Sequence, residues 1–557
     1  IIRTKGFIFM ITIIFSFIIA ILYFYLFLPV LNYGFFGLPI GIILIFSPIV
    51  ITESAKRNIL FYSSIAFLVL SIFYMSIYSF ITTSPLFRAA SYRSLIGKVE
   101  ERQNFSEDVS PVSTEKIRII DRAVAYRLGD KVLGTRASLG SQTILGNFNI
   151  QKVGDQLYWV APLLHSGFFK WNKNRIGTPG YVMVSAINER DVKLVQKVNG
   201  KPIRIKFQEN AYFTDNLERH IYIHGYLSRG LTDFTFEIDD TGKPYWVITL
   251  FKKKVGFGGE DASGVLLVDT ATGSIQEYSI ENAPKWVDRI QPEEFIVNQL
   301  NDWGEYIHGY WNFSNEGKLT TTTGISLVYG DDNQSYWYTG LTSVGSDEGT
   351  VGFILVNTRN KMTKWFRQVG ATETAAMTSA MGKVQEKRYQ ASFPITYNIN
   401  GVPTYVMSLK DKAGLIKMVS MVSVLDYSIV GVGDNLNECL RSYKNALNSA
   451  GNALAPNSKI QRFSITSEIM RISKDISNGN TLYYILLKDF QNKLFVGSSS
   501  ISPELPISRK GDVVKLTYDE GGNVVVDIAT FDNMNIILQK TDAQQEIEKF
   551  FYIKKKK

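Results

Sequence analysis

The residues with the plainest capacity for chemistry are a histidine pair, His220-Ile-Tyr-Ile-His224, and two acidic runs, Asp239-Asp240-Thr241-Gly242 and Asp331-Asp332-Asn333. Imidazoles four apart share one face of a helix and can hold a metal ion there. The alternation of Ile221 and Ile223 predicts a strand instead. On a strand the two rings stand ~13 Å apart at ~3.3 Å per residue, too far for one ion. Position 221 is Ile, so the glutamate of an HExxH zinc helix is missing. The acidic runs offer oxygens of the kind calcium takes, but Asp, Asn and Gly are equally what a hairpin turn requires, and turns are expected. Lys252-Lys253-Lys254 followed by Gly256-Phe257-Gly258-Gly259 is basic and glycine-rich. It lacks the closing Gly-Lys-Ser/Thr of a phosphate loop and predicts a flexible hairpin loop. No Gly-x-Ser-x-Gly elbow occurs. The sequence therefore predicts no catalytic residue, no metal site and no cofactor.

Aromatic residues carry a different signal. Tyr158-Trp159-Val160, Tyr245-Trp246-Val247 and Tyr336-Trp337-Tyr338 each open an apolar strand, and each is followed by a second one: Gly180 to Val184, Gly264 to Asp269, Gly352 to Asn357. A fainter version runs Pro403 to Leu409, then Gly414 to Ile416. Recurrence at near-constant spacing predicts tandem copies of one α+β unit, antiparallel in its sheet. Trp159, Trp246 and Trp337, together with Trp311 in the Tyr310-Trp311-Asn312-Phe313 run, are the candidate interaction residues, because exposed aromatics stack sugars or form interfaces. Their repeated positions also suit core packing.

These elements sit in a chain of 557 residues, too long for one core. The net charge of +9 is diffuse, with no basic stripe interleaved with stacking aromatics, so no nucleic-acid partner is expected. The single cysteine, Cys439, excludes an intramolecular disulfide and reads as a small buried residue on a helix. The apolar runs Phe7 to Leu28, Phe35 to Ile51 and Ile59 to Ile81 predict a membrane anchor of three helices over 1–82. Arg3, Lys5, Lys56 and Arg57 flank them on one side, which predicts a multi-pass protein of the plasma (inner) membrane whose large C-terminal region lies outside the cytoplasm. A juxtamembrane segment and linker follow over 83–115, then two α+β copies over 116–300 and two more over 301–455. Helices are expected over Ile117 to Leu133, with Asp121 and Arg122 on a solvated face, and over Trp286 to His308, Thr372 to Tyr389 and Asn435 to Ala453. Short alternating strands between Arg462 and Ile537 predict a small closed β-barrel of the OB or SH3-like kind over 460–540, and 541–557 is a basic tail. Asn104, Asn312 and Asn333 lie in Asn-x-Ser sequons, which matter only in a secretory pathway that nothing else suggests.

Gly264-Val-Leu-Leu-Val-Asp-Thr-Ala-Thr-Gly-Ser-Ile275, preceded by the Tyr245-Trp246 strand, resembles the strand pattern of PepSY-type domains of bacterial envelope proteins. The resemblance covers mainly Tyr245 to Tyr278. The first copy departs from it at Ser185-Ala186-Ile187-Asn188 and the third at Asn357-Thr358-Arg359-Asn360. The chain as a whole is similar to a group of large bacterial membrane proteins. The resemblance implies a regulatory or interaction role and brings no catalytic residue. The resulting expectation is a scaffold or assembly protein of the envelope, held in the lipid bilayer, binding other envelope proteins and self-associating as a homo-oligomer. The alternative is an envelope enzyme, or a regulator of one, acting on cell-wall glycan or peptide.

Overall fold

The computed structural model describes residues 2–53, 58–102, 116–154, 156–330, 334–345, 349–399, 401–450, 462–477, 480–499, 501–519 and 524–536, with Phe105 and Val109. Lys56, Arg57, Asn104, the Asp331-Asp332-Asn333 run and the tail over 541–557 lie outside these residues. The fold is mixed α+β with several sheets and a closed barrel. The chain forms two compact units, residues 1–398, 403–417 and 424–427 in one, and 399–402, 418–423 and 428–557 in the other.

The first unit opens with three apolar helices, α1 (Ile2–Phe27), α2 (Gly37–Glu53) and α3 (Ile59–Thr83). Among the described residues only α1 and α3 are long and apolar enough to cross a membrane, over Met10–Phe27 and Ile59–Thr83. The expected middle span is shorter: α2 has 17 residues, and at ~1.5 Å each it falls short of a hydrocarbon core of ~30 Å. Its apolar run begins before the helix does. Gly37 lies against the Val30 carbonyl, where a Cβ would come within 2.5 Å, so the turn there consumes Phe35 and Phe36. Ser84 leaves the helical region (ψ 131°) and caps α4 (Pro85–Arg93) by accepting the Leu86 N–H, with Pro85 at the first helical position.

Four antiparallel strand groups follow α4. The first is Thr143–Leu145, Asn149–Val153, Gln156–His165, Tyr181–Ser185 and Val192–Val195, preceded by α5 (Arg122–Gly134). The second is Gly230–Ile238, Pro244–Val255, Gly258–Asp269 and Ile275–Tyr278, preceded by α6 (Leu217–Ile221). The third, after α7 (Glu293–Glu305), centres on Ser335–Ser343, Gly352–Asn357 and Thr363–Phe366, with Val99–Arg102 adding a parallel edge strand beside Thr363–Phe366. After α8 (Glu373–Gly382), Gln390–Ala391 pairs with Val402–Lys410. The strand Gln156–His165 is buried on both faces, which explains its nearly continuous apolar sequence. Trp159, Ala161 and Leu163 join a core with Leu327, Trp337 and Ile354 of the third group. The intervening Tyr158 and Val160 join a second core with Phe236, Trp246 and Ile248 of the second group.

The helix forecast needed correction at its starts. Asp121 accepts the Val124 N–H at 2.9 Å as the N-cap of α5 and pairs with Lys410, while Arg122 Nε donates to the Phe148 carbonyl at 2.9 Å. Neither is a merely solvated residue.

In the second unit, residues Val419 to Val422 pair with Val430–Gly433, and α9 (Leu436–Ser449) covers them. Gly431 admits the Tyr443 backbone, where a Cβ would meet atoms at 2.3 Å. Cys439 is fully buried there, as expected, and burial pushes its thiol up. The strands Arg462–Ser477, Asn480–Leu487, Leu494–Ser498, Val513–Asp519 and Val525–Asn533 close the expected barrel in the order first, second, third, fifth, fourth. Leu494–Ser498 and Val525–Asn533 run parallel, the only such pair among the described barrel strands. Ile469, Ile485, Phe495, Val514 and Leu516 fill its interior.

Candidate functional site

The recurring aromatic residue does the same thing each time it appears. Trp159 Nε1 donates to the Ile120 carbonyl at 2.8 Å, Trp246 Nε1 to Phe207 at 2.8 Å, and Trp337 Nε1 to Gln291 at 2.9 Å. In the fourth group the Tyr405 hydroxyl reaches the Ala371 carbonyl at 3.0 Å. Each acceptor lies on a short segment whose own N–H groups are anchored to the residue past a strand end: Ile119 and Ile120 to Ala186, Lys206 and Phe207 to Thr270, Ile290 and Gln291 to Thr358, Ala371 to Val424. The indole thus satisfies a buried carbonyl and fixes the entry to the next helix. Trp159, Trp246 and Trp337 are 7%, 2% and 3% exposed, so they face their own cores and offer nothing to a partner. Trp311 differs. It is 69% exposed on a loop with Tyr310 and Phe313, whose rings lie 5.4 and 5.8 Å from it.

The histidine pair also falls differently from the expected strand. Asn216 caps α6 by accepting the Arg219 N–H, and Leu217 and Ile221 are buried one helical turn apart. The helix continues as a wider turn over Tyr222–Tyr226, bringing the His220 and His224 rings to 4.1 Å between centroids. Both rings are engaged by backbone: His220 Nε2 with the Gly273 carbonyl at 2.8 Å, His224 Nδ1 with the His220 carbonyl at 2.7 Å. Among the described residues no group of three potential metal ligands forms. Asp239 is spent on its turn, with Oδ1 accepting the Thr241 and Lys243 N–H groups at 2.9 and 3.0 Å.

The basic glycine-rich stretch is not a loose loop. Val255 pairs directly with Gly258, leaving a two-residue turn with Gly256 at φ +59° in its first central position. Phe257 at the tip is 8% exposed, stacks on Phe36 at 4.7 Å and meets Tyr74 edge-on at 5.2 Å. Its N–H donates to Thr83 Oγ1 at 2.8 Å. A Cβ on Gly256 would lie 2.7 Å from the Thr82 backbone. The hairpin therefore plugs into the ends of α2 and α3.

The site best equipped for a ligand is one the sequence did not single out. An open cleft of about 940 Å³ is lined by Lys152, Asp240, Trp286, Asp288, Asn357 and Arg359, among others. Asp288 Oδ2 accepts the Lys152 N–H at 2.9 Å and the Tyr329 hydroxyl at 3.1 Å. Burial pushes its carboxyl up to about 6, against the opposing pull of those two hydrogen bonds. Arg359 holds the segment before it by donating to the Ala283, Pro284 and Val287 carbonyls. Behind Asp288, Glu237 takes the Thr235 hydroxyl on Oε1 at 3.0 Å, while Oε2 has no donor. Burial raises this carboxyl to about 8, the Arg289 charge opposes that, and Asp288 adds to it. Burial thus favours the neutral form of both carboxyls. Glu237 does not line the cleft, however, so only Asp288 can touch a ligand.

No family model matches the chain, and no curated protein matches it. Among solved structures it is similar to a doubly substituted levansucrase of Bacillus subtilis in complex with oligosaccharides, at 10% identity and a TM-score of 0.18, over 78% of this chain and 95% of that one. A TM-score that low defines no shared fold and carries no argument here.

Proposed function

We propose that the protein is a membrane-anchored envelope scaffold, built from tandem copies of one α+β unit, that binds other proteins and self-associates. The observation that carries this reading is the Phe257 plug, which couples the apolar helices rigidly to the sheets instead of leaving them on a slack tether. Rigid coupling transmits position and orientation, which an assembly subunit needs and a tethered enzyme does not. The repeated indole-to-carbonyl bond supports a common unit, and the likeness of Gly264 to Ile275 to PepSY-type strands agrees with an interaction role. The order of the barrel strands, with its parallel closure, suits an OB-type barrel, an architecture that accepts varied partners. Arg3 and Lys5 in the first turns of α1 support an inner-membrane protein with that end in the cytoplasm and the sheets outside it.

Light scattering on the full-length protein in detergent and in nanodiscs tests the proposal: a discrete oligomer is expected in both. A monomer at every concentration removes the scaffold reading. It would leave the second reading, an envelope protein that binds or acts on wall glycan or peptide, which rests on Asp288 and Trp286 in the 940 Å³ cleft.

A further inference from the structure

Beside the end of α1 lies an exposed aromatic patch, three of whose rings cover buried Trp171 with one side and leave the other uncovered. Phe169 is 80% exposed, Phe213 is 52% exposed, and Phe168 and Tyr212 are each 39% exposed. Phe168 stacks edge-on against Phe169 at 5.6 Å and Tyr212 at 5.1 Å, so the rings form one continuous surface. The stretch Phe168-Phe-Lys-Trp-Asn-Lys-Asn-Arg-Ile176 carries three basic residues and no acidic one. Lys170, Lys173 and Arg175 are exposed. Phe213 sits at φ +52°, a conformation that a bulky aromatic residue adopts only under constraint.

Arg219 fixes where this patch sits. Its Nη1 donates to the Phe213 carbonyl at 3.0 Å, its Nε to the Tyr25 carbonyl at 3.4 Å, and its guanidinium lies 4.3 Å over the Tyr25 ring. Tyr25 is in the last turn of the apolar window Met10–Phe27. One side chain thus bridges the patch to the place where α1 leaves the apolar zone. The Tyr222 hydroxyl, which donates to the Pro29 carbonyl at 2.9 Å, holds the same level.

We infer that Phe168, Phe169, Tyr212 and Phe213 form a foot that beds into the headgroup–acyl boundary of an anionic bilayer, with Lys170, Lys173 and Arg175 on the phosphates. Aromatic rings favour that depth, and basic residues near it gain from anionic headgroups. The occupant is lipid rather than a protein partner because the patch is continuous with the exit of a spanning helix and its charge is complementary to the surface there. This inference rests on α1 and α3 lying in a membrane.

Nitroxide labels on the full-length protein in nanodiscs of phosphatidylcholine and phosphatidylglycerol test it. Buried Cys439 leaves single introduced cysteines free to be labelled selectively. Three sites suffice: Phe169→Cys, Val69→Cys on α3 (58% exposed), and Thr241→Cys. Thr241 lies at the far end of the Pro244–Val255 strand from the Phe257 plug, ~40 Å away at ~3.3 Å per residue. Phe169 is expected to behave like Val69, colliding with oxygen and shielded from a water-soluble nickel chelate, while Thr241 shows the reverse. A Phe169 label open to nickel like Thr241, or shielded from both reagents, overturns the foot and leaves the membrane reading intact. A Val69 label open to nickel takes both down.

Discussion

Glu237 brings a carboxyl into a core that supplies one hydroxyl for one oxygen and nothing for the other. Its neutral form is therefore the one the fold prefers, and the sign of the pH dependence follows. Stability from Glu237 is fully present below its ordinary value of 4.5 and is lost as pH rises through about 8. Asp288 contributes a smaller loss that ends near pH 6. The melting temperature of the detergent-solubilised protein should fall across this window, with the free energy dropping by at most about 1.4 kcal/mol per pH unit for one group. Glu237→Gln keeps the shape without the charge and should flatten the slope above pH 6. An unchanged slope in that variant would show that Glu237 is not the titrating group. At this scale the sequence is legible only where spacing repeats. The Tyr-Trp recurrence marked Trp159, Trp246 and Trp337, but their function of donating to a carbonyl ~40 residues upstream needs the fold. Asp288 carries no signal at all, since Lys152 and Tyr329 reach it from 136 and 41 positions away.

The plug at Phe257 is an element-scale device, and it inverts what its sequence suggests. Glycines around an exposed-looking basic run read as slack, but Gly256 supplies a positive φ for the tightest hairpin turn and room for the Thr82 backbone. Phe257→Ala removes the ring that Phe36 and Tyr74 pack on, and large-to-small changes at such sites cost ~3 kcal/mol or more. The cost should appear locally, as faster hydrogen exchange in the turn before α2 and in α4, with the barrel strands unchanged. Exchange that stays slow in both segments would mean the helices are held by something other than the plug. Elements with a clean period were the readable ones: the barrel strands alternate, and an interior of Ile469, Ile485 and Phe495 follows. The His220–His224 segment misleads because Ile221 and Ile223 alternate while Leu217 and Ile221 also fit a helical turn. The Asn216 cap decides between them.

At the scale of the whole molecule, both long apolar helices run toward the same body. The end of α1 is tied to it by Leu31 N–H on the Leu227 carbonyl at 2.8 Å, and the end of α3 by Thr83 on Phe257. In the membrane-anchored reading proposed above, two helices that finish on one side require the chain between them to return, and α2, although shorter than a full span, is the segment available. Its 17 residues reach ~26 Å, several Å less than a typical hydrocarbon core, so the return ends at or just inside the far interface. Glu53, 1% exposed, accepts the Asn58 side-chain N–H at 2.9 Å, a pairing that in this reading spares a carboxylate at the far interface. Impermeant maleimide on intact cells reads this arrangement directly. Tyr33→Cys, at a residue 84% exposed, and Thr241→Cys should both label from outside. Asn58→Cys should label only after permeabilisation. If Asn58 labels alongside Tyr33, the chain never returns through the bilayer, and α3 cannot be a span that ends at Thr83. If Tyr33 and Thr241 both need permeabilisation while Asn58 does not, the return stands but the sheets and barrel face the cytoplasm, and the envelope partners proposed for them must be sought there instead.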